Sequence, residues 1–150
     1  MSPHFGLMDE SKMSREDALL LRAKLHWRGG IRRCRENQSA AGISSLYDAM
    51  LSAMRWYILT NLRDEAGKDV IENIENERFV FFLLRKAGLL SFSFDLNFME
   101  DVVDKALMQE DIESRKDQFI EQVKKVMTQL TVLPFDESEL PPEDPSTFRL

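Results

Sequence analysis

The sequence predicts an all-α fold, a single-domain, up-and-down bundle of about five helices. Apolar residues recur at spacings of three and four along most of the chain, which is the period of an amphipathic helix. The 150 residues include six glycines and five prolines, few for an all-β fold with its many tight turns. We expect the bundle to span residues 14–133, between an N-terminal tail of residues 1–13 and an acidic, proline-containing tail of residues 134–150.

The first predicted helix begins at Ser14, whose hydroxyl can accept a hydrogen bond from the backbone amide of Asp17 in a capping-box arrangement. Three apolar residues follow at helical spacing: Ala18, Leu21 and Leu25. We expect Gly29 and Gly30 to weaken or end this helix, because each glycine costs about 1 kcal/mol relative to alanine. Residues 31–37 then form either a resumed helix or a connector, and the pattern leaves both open.

The second predicted helix, from Ser39 to about Asn61, has the clearest pattern. Ala49 and Ala53 are small enough to let a neighbouring helix approach closely. Beside them runs one apolar stripe with spacings of three and four: Ile43, Leu46, Tyr47, Met50, Met54, Tyr57 and Ile58. The stripe is typical of a core helix rather than a cofactor site.

The third predicted helix covers about residues 68–87, and its second half is apolar on most sides. Such a segment belongs in the middle of the core or in a subunit contact. Its large side chains exceed what one small bundle needs, which predicts a homodimer. The candidate interface residues are Phe79, Phe81 and Phe82.

The remaining elements follow from their end signals. Gly88 is placed to end the third helix in a left-handed conformation. Residues 91–94 alternate polar and apolar but have no partner strand, so we interpret them as a loop with two anchored rings. The fourth helix is expected to start near Asp95 and the fifth to be capped by Asp111. After Pro134 the composition predicts a flexible or surface-draped tail.

A family resemblance rests on the second helix. It starts with small residues, Ala40-Ala41-Gly42, and continues into Tyr47-Asp48-Ala49-Met50. Between residues 37 and 60 this stretch resembles the second helix of HEPN domains, small helical bundles found in prokaryotic nucleotidyltransferase partners and in RNase toxins. A charged helix before it and the segment 82–90 after it extend the resemblance to residues 14–131. The resemblance implies a HEPN-like bundle and a protein partner such as a nucleotidyltransferase.

One family feature is absent from the sequence. RNase members carry an arginine followed after four to six residues by a histidine, a pair that stabilises the phosphoryl-transfer transition state and moves its proton. The chain has two histidines, His4 and His26, and Arg22 precedes His26 with only three residues between them. Arg15 lies too far before His26, and Arg115 has no histidine at the required spacing. The resemblance therefore implies one of the nonenzymatic members.

We expect no cofactor and no metal site. The chain has three Cys and His residues in total, fewer than the four ligands of structural zinc, and no glycine-rich phosphate loop. The acidic residues of the fourth helix are interpreted as its solvated side. The arginines around Cys34 could lower its pKa, but without a base nearby we do not predict a catalytic thiol.

Charge and composition also bear on the compartment. The net charge of -6 argues against broad attraction to nucleic acid or anionic membranes. No apolar stretch approaches the ~18 residues of a membrane span. A single cysteine excludes an intrachain disulfide, and no apolar core of signal-peptide length is present. We expect a soluble, cytoplasmic protein.

A basic segment is the strongest candidate for binding. Arginine forks match phosphate and carboxylate geometry, and an indole can stack on a base. The candidate residues are Trp27, Arg28, Arg32, Arg33 and Arg35. We favour the alternative in which this segment is a connector whose arginines pair with acids of the tail, such as Asp136, Glu137 or Glu139.

Two functional hypotheses remain. The first is a noncatalytic binding or assembly module that dimerises and associates with a protein partner. The second is a nucleic-acid- or nucleotide-binding protein that uses the basic segment at residues 28–35. The missing catalytic pair and the apolar third helix favour the first.

Overall fold

The computed structural model describes residues 13–90 and 94–143. The described residues form seven α-helices and a short 3-10 turn, with no strand among them, so the all-α prediction is confirmed. The helices are α1 Arg15–Arg35, α2 Ser39–Asn61, α3 Arg63–Ala66, α4 Val70–Asn73, α5 Glu77–Lys86, α6 Leu96–Leu107 and α7 Glu113–Gln129. Residues 1–12 and 144–150 of the two predicted tails lie outside the described residues.

Helix α2 is the central element of the bundle. It packs along α1, and α5, α6 and α7 also contact it. Helix α1 runs antiparallel to it. Arg22 contacts Asp48, whereas Cys34, later on α1, lies against Gly42, earlier on α2. Because neighbours surround α2, most of its apolar side chains are buried: Ile43, Leu46, Ala49, Met50, Leu51, Ala53, Met54, Ile58 and Leu59.

Helix α1 continues through Gly29 and Gly30 to Arg35, so the expectation that these residues end the helix is wrong, and residues 31–35 belong to the helix rather than to a connector. The reason is the close approach of α1 to α2. A β-carbon on Gly30 would lie 2.7 Å from Leu46 Cγ, and one on Gly42 would lie 2.5 Å from Cys34 Sγ. Absent β-carbons let the two backbones meet, and this packing outweighs the low helix propensity of glycine.

The segment predicted as the third helix is divided into α4 and α5. Asn76 has an extended backbone, and its Oδ1 accepts hydrogen bonds from the amides of Arg78 at 3.0 Å and Phe79 at 3.2 Å. This cap starts a new helix and competes with continuation of the preceding one. The apolar second half of the segment does reach the core, since Val80, Phe81, Leu83 and Leu84 are buried.

Several predicted helix ends are confirmed. The hydroxyl of Ser14 accepts from the Asp17 amide at 3.1 Å, Gly88 has φ 76°, and α6 starts after Asp95. Asp111 accepts from the Glu113 amide at 3.0 Å at the start of α7. Residues 91–93 of the predicted loop lie outside the described residues, whereas the ring of Phe94 is buried and stacks on Phe81.

The described part of the C-terminal tail, residues 134–143, lies along the surface of α1. The ammonium of Lys24 sits 5.7 Å from the centre of the Phe135 ring, and Leu140 is buried. A 3-10 turn, Glu137–Glu139, forms between them. Within the described residues, no helix combines the length and the apolar character that crossing a membrane requires.

We predict that Gly30→Ala lowers the free energy of unfolding, measured by urea denaturation. A methyl group at residue 30 meets the branched carbon of Leu46, and overpacking of this kind costs roughly 1–3 kcal/mol. Gly29→Ala is the matched control. It adds the same helix propensity, about 1 kcal/mol, but its methyl meets only the end of the Arg33 side chain at 3.2 Å. A Gly30→Ala variant as stable as Gly29→Ala would contradict the packing argument.

Candidate functional site

A groove between α1, α7 and the C-terminal tail contains most of the predicted binding residues. Arg28, Arg32 and Arg35 are spaced by four and three residues and therefore share one face of α1. The groove has a volume of about 830 Å³, within the range of about 300–1,000 Å³ typical of ligand sites. We call it the arginine groove. The residues that line it come from three parts of the chain: Trp27, Arg28, Ile31, Arg32 and Arg35 of α1; Ile120, Glu121, Lys124 and Thr128 of α7; and Leu133, Pro134, Phe135, Glu137 and Glu143 after α7.

A carboxylate of the tail occupies this groove. Arg32 Nε donates to Glu143 Oε2 at 2.7 Å, and Arg28 Nε lies 3.7 Å from Glu143 Oε1. The side chains of both arginines are 12% exposed and that of Glu143 is 19% exposed, so the ion pairs are well shielded from water. Arg32 also bonds Glu36 at 3.2 Å. The predicted pairing of arginines with the tail is therefore present.

The acid in this pairing is not one of the three expected. Asp136 accepts from the hydroxyl and the amide of Ser138, at 2.7 and 2.9 Å, and these hydrogen bonds lower the pKa of its carboxyl. Its carboxylate therefore caps the start of the 3-10 turn. Glu137 lines the groove, and Glu139 ends the turn. Glu143, beyond two prolines, is the residue that reaches Arg28 and Arg32.

Arg33 does not join the other arginines. It lies in a second cavity of about 390 Å³, which we call the Arg33 pocket, lined by Arg22, His26, Arg33, Ala41, Ser44, Ser45 and Asp48. Burial lowers the pKa of its guanidinium. The helical turn explains the separation, because a residue one position after Arg32 points about 100° away from it.

The Arg33 pocket brings a serine, a histidine and an aspartate together, but not as a hydrolytic triad. Ser45 Oγ and Asp48 Oδ2 lie 3.3 and 3.4 Å from the same ring nitrogen of His26, Nδ1. A triad needs the serine and the acid on opposite ring nitrogens. Ser45 Oγ instead donates to the backbone carbonyl of His26 at 2.8 Å, and Arg22 binds the Asp48 carboxylate at 2.9 and 3.3 Å.

Cys34 is buried in the contact between α1 and α2 rather than exposed beside the arginines. Burial raises the pKa of its thiol, so the expected lowering by neighbouring arginines is wrong. The charges of Arg32 and Arg35 belong to a groove on another side of the helix. A thiol in such surroundings behaves as a small apolar side chain.

The three candidate interface phenylalanines have different environments. Phe81 is 5% exposed and packs in the core, Phe79 is half-buried against it, and Phe82 is 63% exposed. Successive residues of a helix point in different directions, so one apolar run supplies both core and surface. Of these three, Phe82 is the one whose ring is accessible to another chain.

One acidic side chain of α6 pairs with two neighbouring cations. Asp101 binds Lys105 at 3.1 Å and Arg115 at 2.6 Å, and these hydrogen bonds lower the pKa of its carboxyl. Within residues 13–90 and 94–143, no group of three His, Cys, Asp or Glu side chains is arranged to hold a metal ion.

We compared the chain with known proteins in three ways. No protein-family model matches it, and no curated protein and no solved structure matches it either.

We predict that Cys34 reacts slowly with a thiol reagent such as DTNB in the folded protein. Reaction requires opening of the α1–α2 contact, and such opening slows labelling by at least about two orders of magnitude relative to the unfolded chain. The measurement compares the rate in buffer with the rate in urea. Gly30→Ala, which loosens the same contact, should label faster than Gly29→Ala. Rapid labelling of the native wild type would refute the buried position.

Proposed function

We propose that this chain is a noncatalytic binding module that holds an acidic segment of a protein partner in the arginine groove. The observation that carries the proposal is the position of Glu143. Arg28 and Arg32 hold a carboxylate in a groove much larger than one side chain. Arginine forks bind carboxylates through charge-assisted hydrogen bonds, and the same chemistry is available to an acidic segment of another protein.

Charge complementarity supports an acidic segment. Arg35 and Lys124 stand on opposite walls of the groove and are exposed, and neither forms an ion pair with another described residue. Between them lies an apolar surface made by half-buried side chains: Trp27, Ile31, Ile120, Leu133 and Phe135. Cationic walls over an apolar base complement a segment that combines acidic residues with an aliphatic or aromatic anchor.

The noncatalytic assignment rests on the geometry of the two nucleophile candidates. Ser45 donates its hydroxyl proton to a backbone carbonyl and shares one nitrogen of His26 with Asp48, so the three side chains do not form a catalytic triad. Cys34 is buried with a raised pKa, which disfavours the reactive thiolate.

Partner identity and self-association stay predictions from the sequence. The HEPN resemblance implies a nucleotidyltransferase-like partner. Self-association through α5 is supported by the exposure of Phe82, because covering a large apolar side chain with a second copy of the chain lowers the free energy.

Nucleic-acid or nucleotide binding through the basic segment is the second candidate, and the structure favours it less. Arg33 is separated from the other arginines, and Arg28 and Arg32 are held by Glu143.

We predict that Arg35→Glu with Lys124→Glu weakens capture of the protein partner at least about tenfold, because like charges across an interface cost several kcal/mol. The measurement is a quantitative pull-down from the native host with the bound protein and nucleic acid identified together. Lys68→Glu with Lys125→Glu is the control, since it changes the net charge equally at exposed positions outside the groove. Equal capture by both double variants contradicts the groove as the partner site. Recovery of nucleic acid without a protein supports the second candidate instead.

We predict that Phe82→Ser abolishes self-association without unfolding the protein, because an exposed side chain contributes little to the core. Sedimentation equilibrium over a concentration series measures the monomer fraction. Leu107→Ser is the matched control, since it removes a side chain of similar exposure, 68%, from α6. A wild-type mass that stays monomeric at every concentration contradicts the dimer.

A further inference from the structure

We propose that the Arg33 pocket is a binding site for a small oxyanion, of the class of inorganic phosphate and phosphate monoesters. The site lies on a different face of α1 from the arginine groove and is independent of the function proposed above. It rests on a buried, unpaired guanidinium that lines a cavity at the start of α2.

The guanidinium of Arg33 has no carboxylate bound to it among the described residues. Arg33 is 5% exposed, and within residues 13–90 and 94–143 its side chain has no hydrogen-bond acceptor and no ion-pair partner. Glu36 and Glu143 influence it through space, but both are bonded to Arg32. The guanidinium nitrogens face the solvent of the pocket rather than a protein acceptor. A largely desolvated cation without a protein partner is costly, so an anion that entered the pocket would relieve a cost already present in the fold.

The backbone beside Arg33 leaves room for this side chain. A β-carbon on Gly29 would lie 3.2 Å from Arg33 Nη1, so the guanidinium passes over the glycine, one turn earlier on α1. Long helical side chains lean toward the helix N-terminus in this way. The guanidinium thereby lines the same cavity as His26, which lies one turn before Gly29.

The N-terminus of α2 adds a second attraction for an anion. Ala41, in the first turn of α2, lines the pocket. Gln38 makes no side-chain cap, and the first turn of this helix contains no acidic residue. Amides of a first turn have no partner within the helix, and the helix dipole favours negative charge there. The hydroxyl of Ser39 is directed to Glu113 and does not serve as the cap.

The remaining charges of the pocket leave Arg33 unbalanced. Asp48 is the carboxylate that lines it, and both of its oxygens accept hydrogen bonds from Arg22. Those two charges offset each other, so the pocket retains the positive charge of Arg33. Its volume of about 390 Å³ accommodates a phosphate group with a small attached moiety.

Thermal unfolding with inorganic phosphate tests the site, at constant ionic strength set with chloride. Phosphate at ten times its dissociation constant should lower the unfolding equilibrium constant of the wild type about eleven-fold. Arg33→Met should be more stable than the wild type in chloride, because it removes an unpaired buried charge, and should not respond to phosphate. Arg35→Gln, which alters the arginine groove alone, should respond like the wild type.

Isothermal titration with inorganic phosphate and with phenyl phosphate identifies the source of the anion. Tighter binding of inorganic phosphate supports the free ion, and tighter binding of phenyl phosphate supports a phosphate group on a larger molecule. Arg33→Lys keeps the charge but loses the planar fork, and should bind at least about tenfold more weakly while remaining folded. A wild type that binds neither anion, or an Arg33→Lys variant that binds as tightly, overturns the proposal. Neither result bears on partner capture, which depends on Arg35 and Lys124.

Discussion

Helices α1 and α2 meet where neither tolerates a β-carbon, and this contact determines where the candidate binding residues of α1 lie. Gly30 approaches Leu46, and Gly42 approaches Cys34, within distances that no larger residue permits. The contact fixes the rotation of α1 about its axis. One face of α1 then forms a wall of the arginine groove, and another brings Arg33 and His26 to the first turns of α2.

The separation of the arginines of α1 into two sites follows from this rotation. Four arginines that are close in sequence are divided between the arginine groove and the Arg33 pocket, because successive side chains of a helix point about 100° apart. Arg28 and Arg32 share Glu143 and are nearly removed from water, whereas Arg33 is buried without a counterion of its own among the described residues. A cluster counted along the chain is therefore not a surface patch, and each cation has to be interpreted with its own neighbours.

Much of the secondary structure could be predicted from local signals, while the site depended on contacts distant in sequence. The caps at Ser14 and Gly88 and the span of α2 follow from residues within one or two turns. Helix propensity alone predicts a weakened or ended helix at the two glycines of α1, because it takes no account of the packing against the partner helix. An acidic tail opposite the arginines could be predicted from charge. Which acid pairs with the arginines depends on the path of the tail across α1. That Ile120 and Lys124 line the groove depends on the position of α7.

The place of Glu143 in the arginine groove has a consequence for any measured affinity. A ligand that belongs to the same chain is present at an effective concentration of the order of millimolar when its tether is short. An acidic segment that uses Arg28 and Arg32 therefore competes with an intramolecular rival. Its apparent dissociation constant is the intrinsic value divided by the fraction of molecules in which Glu143 leaves the site free. The tail thus sets a threshold for binding: weak carboxylates are excluded, and a segment that also fills the apolar base of the groove can displace it.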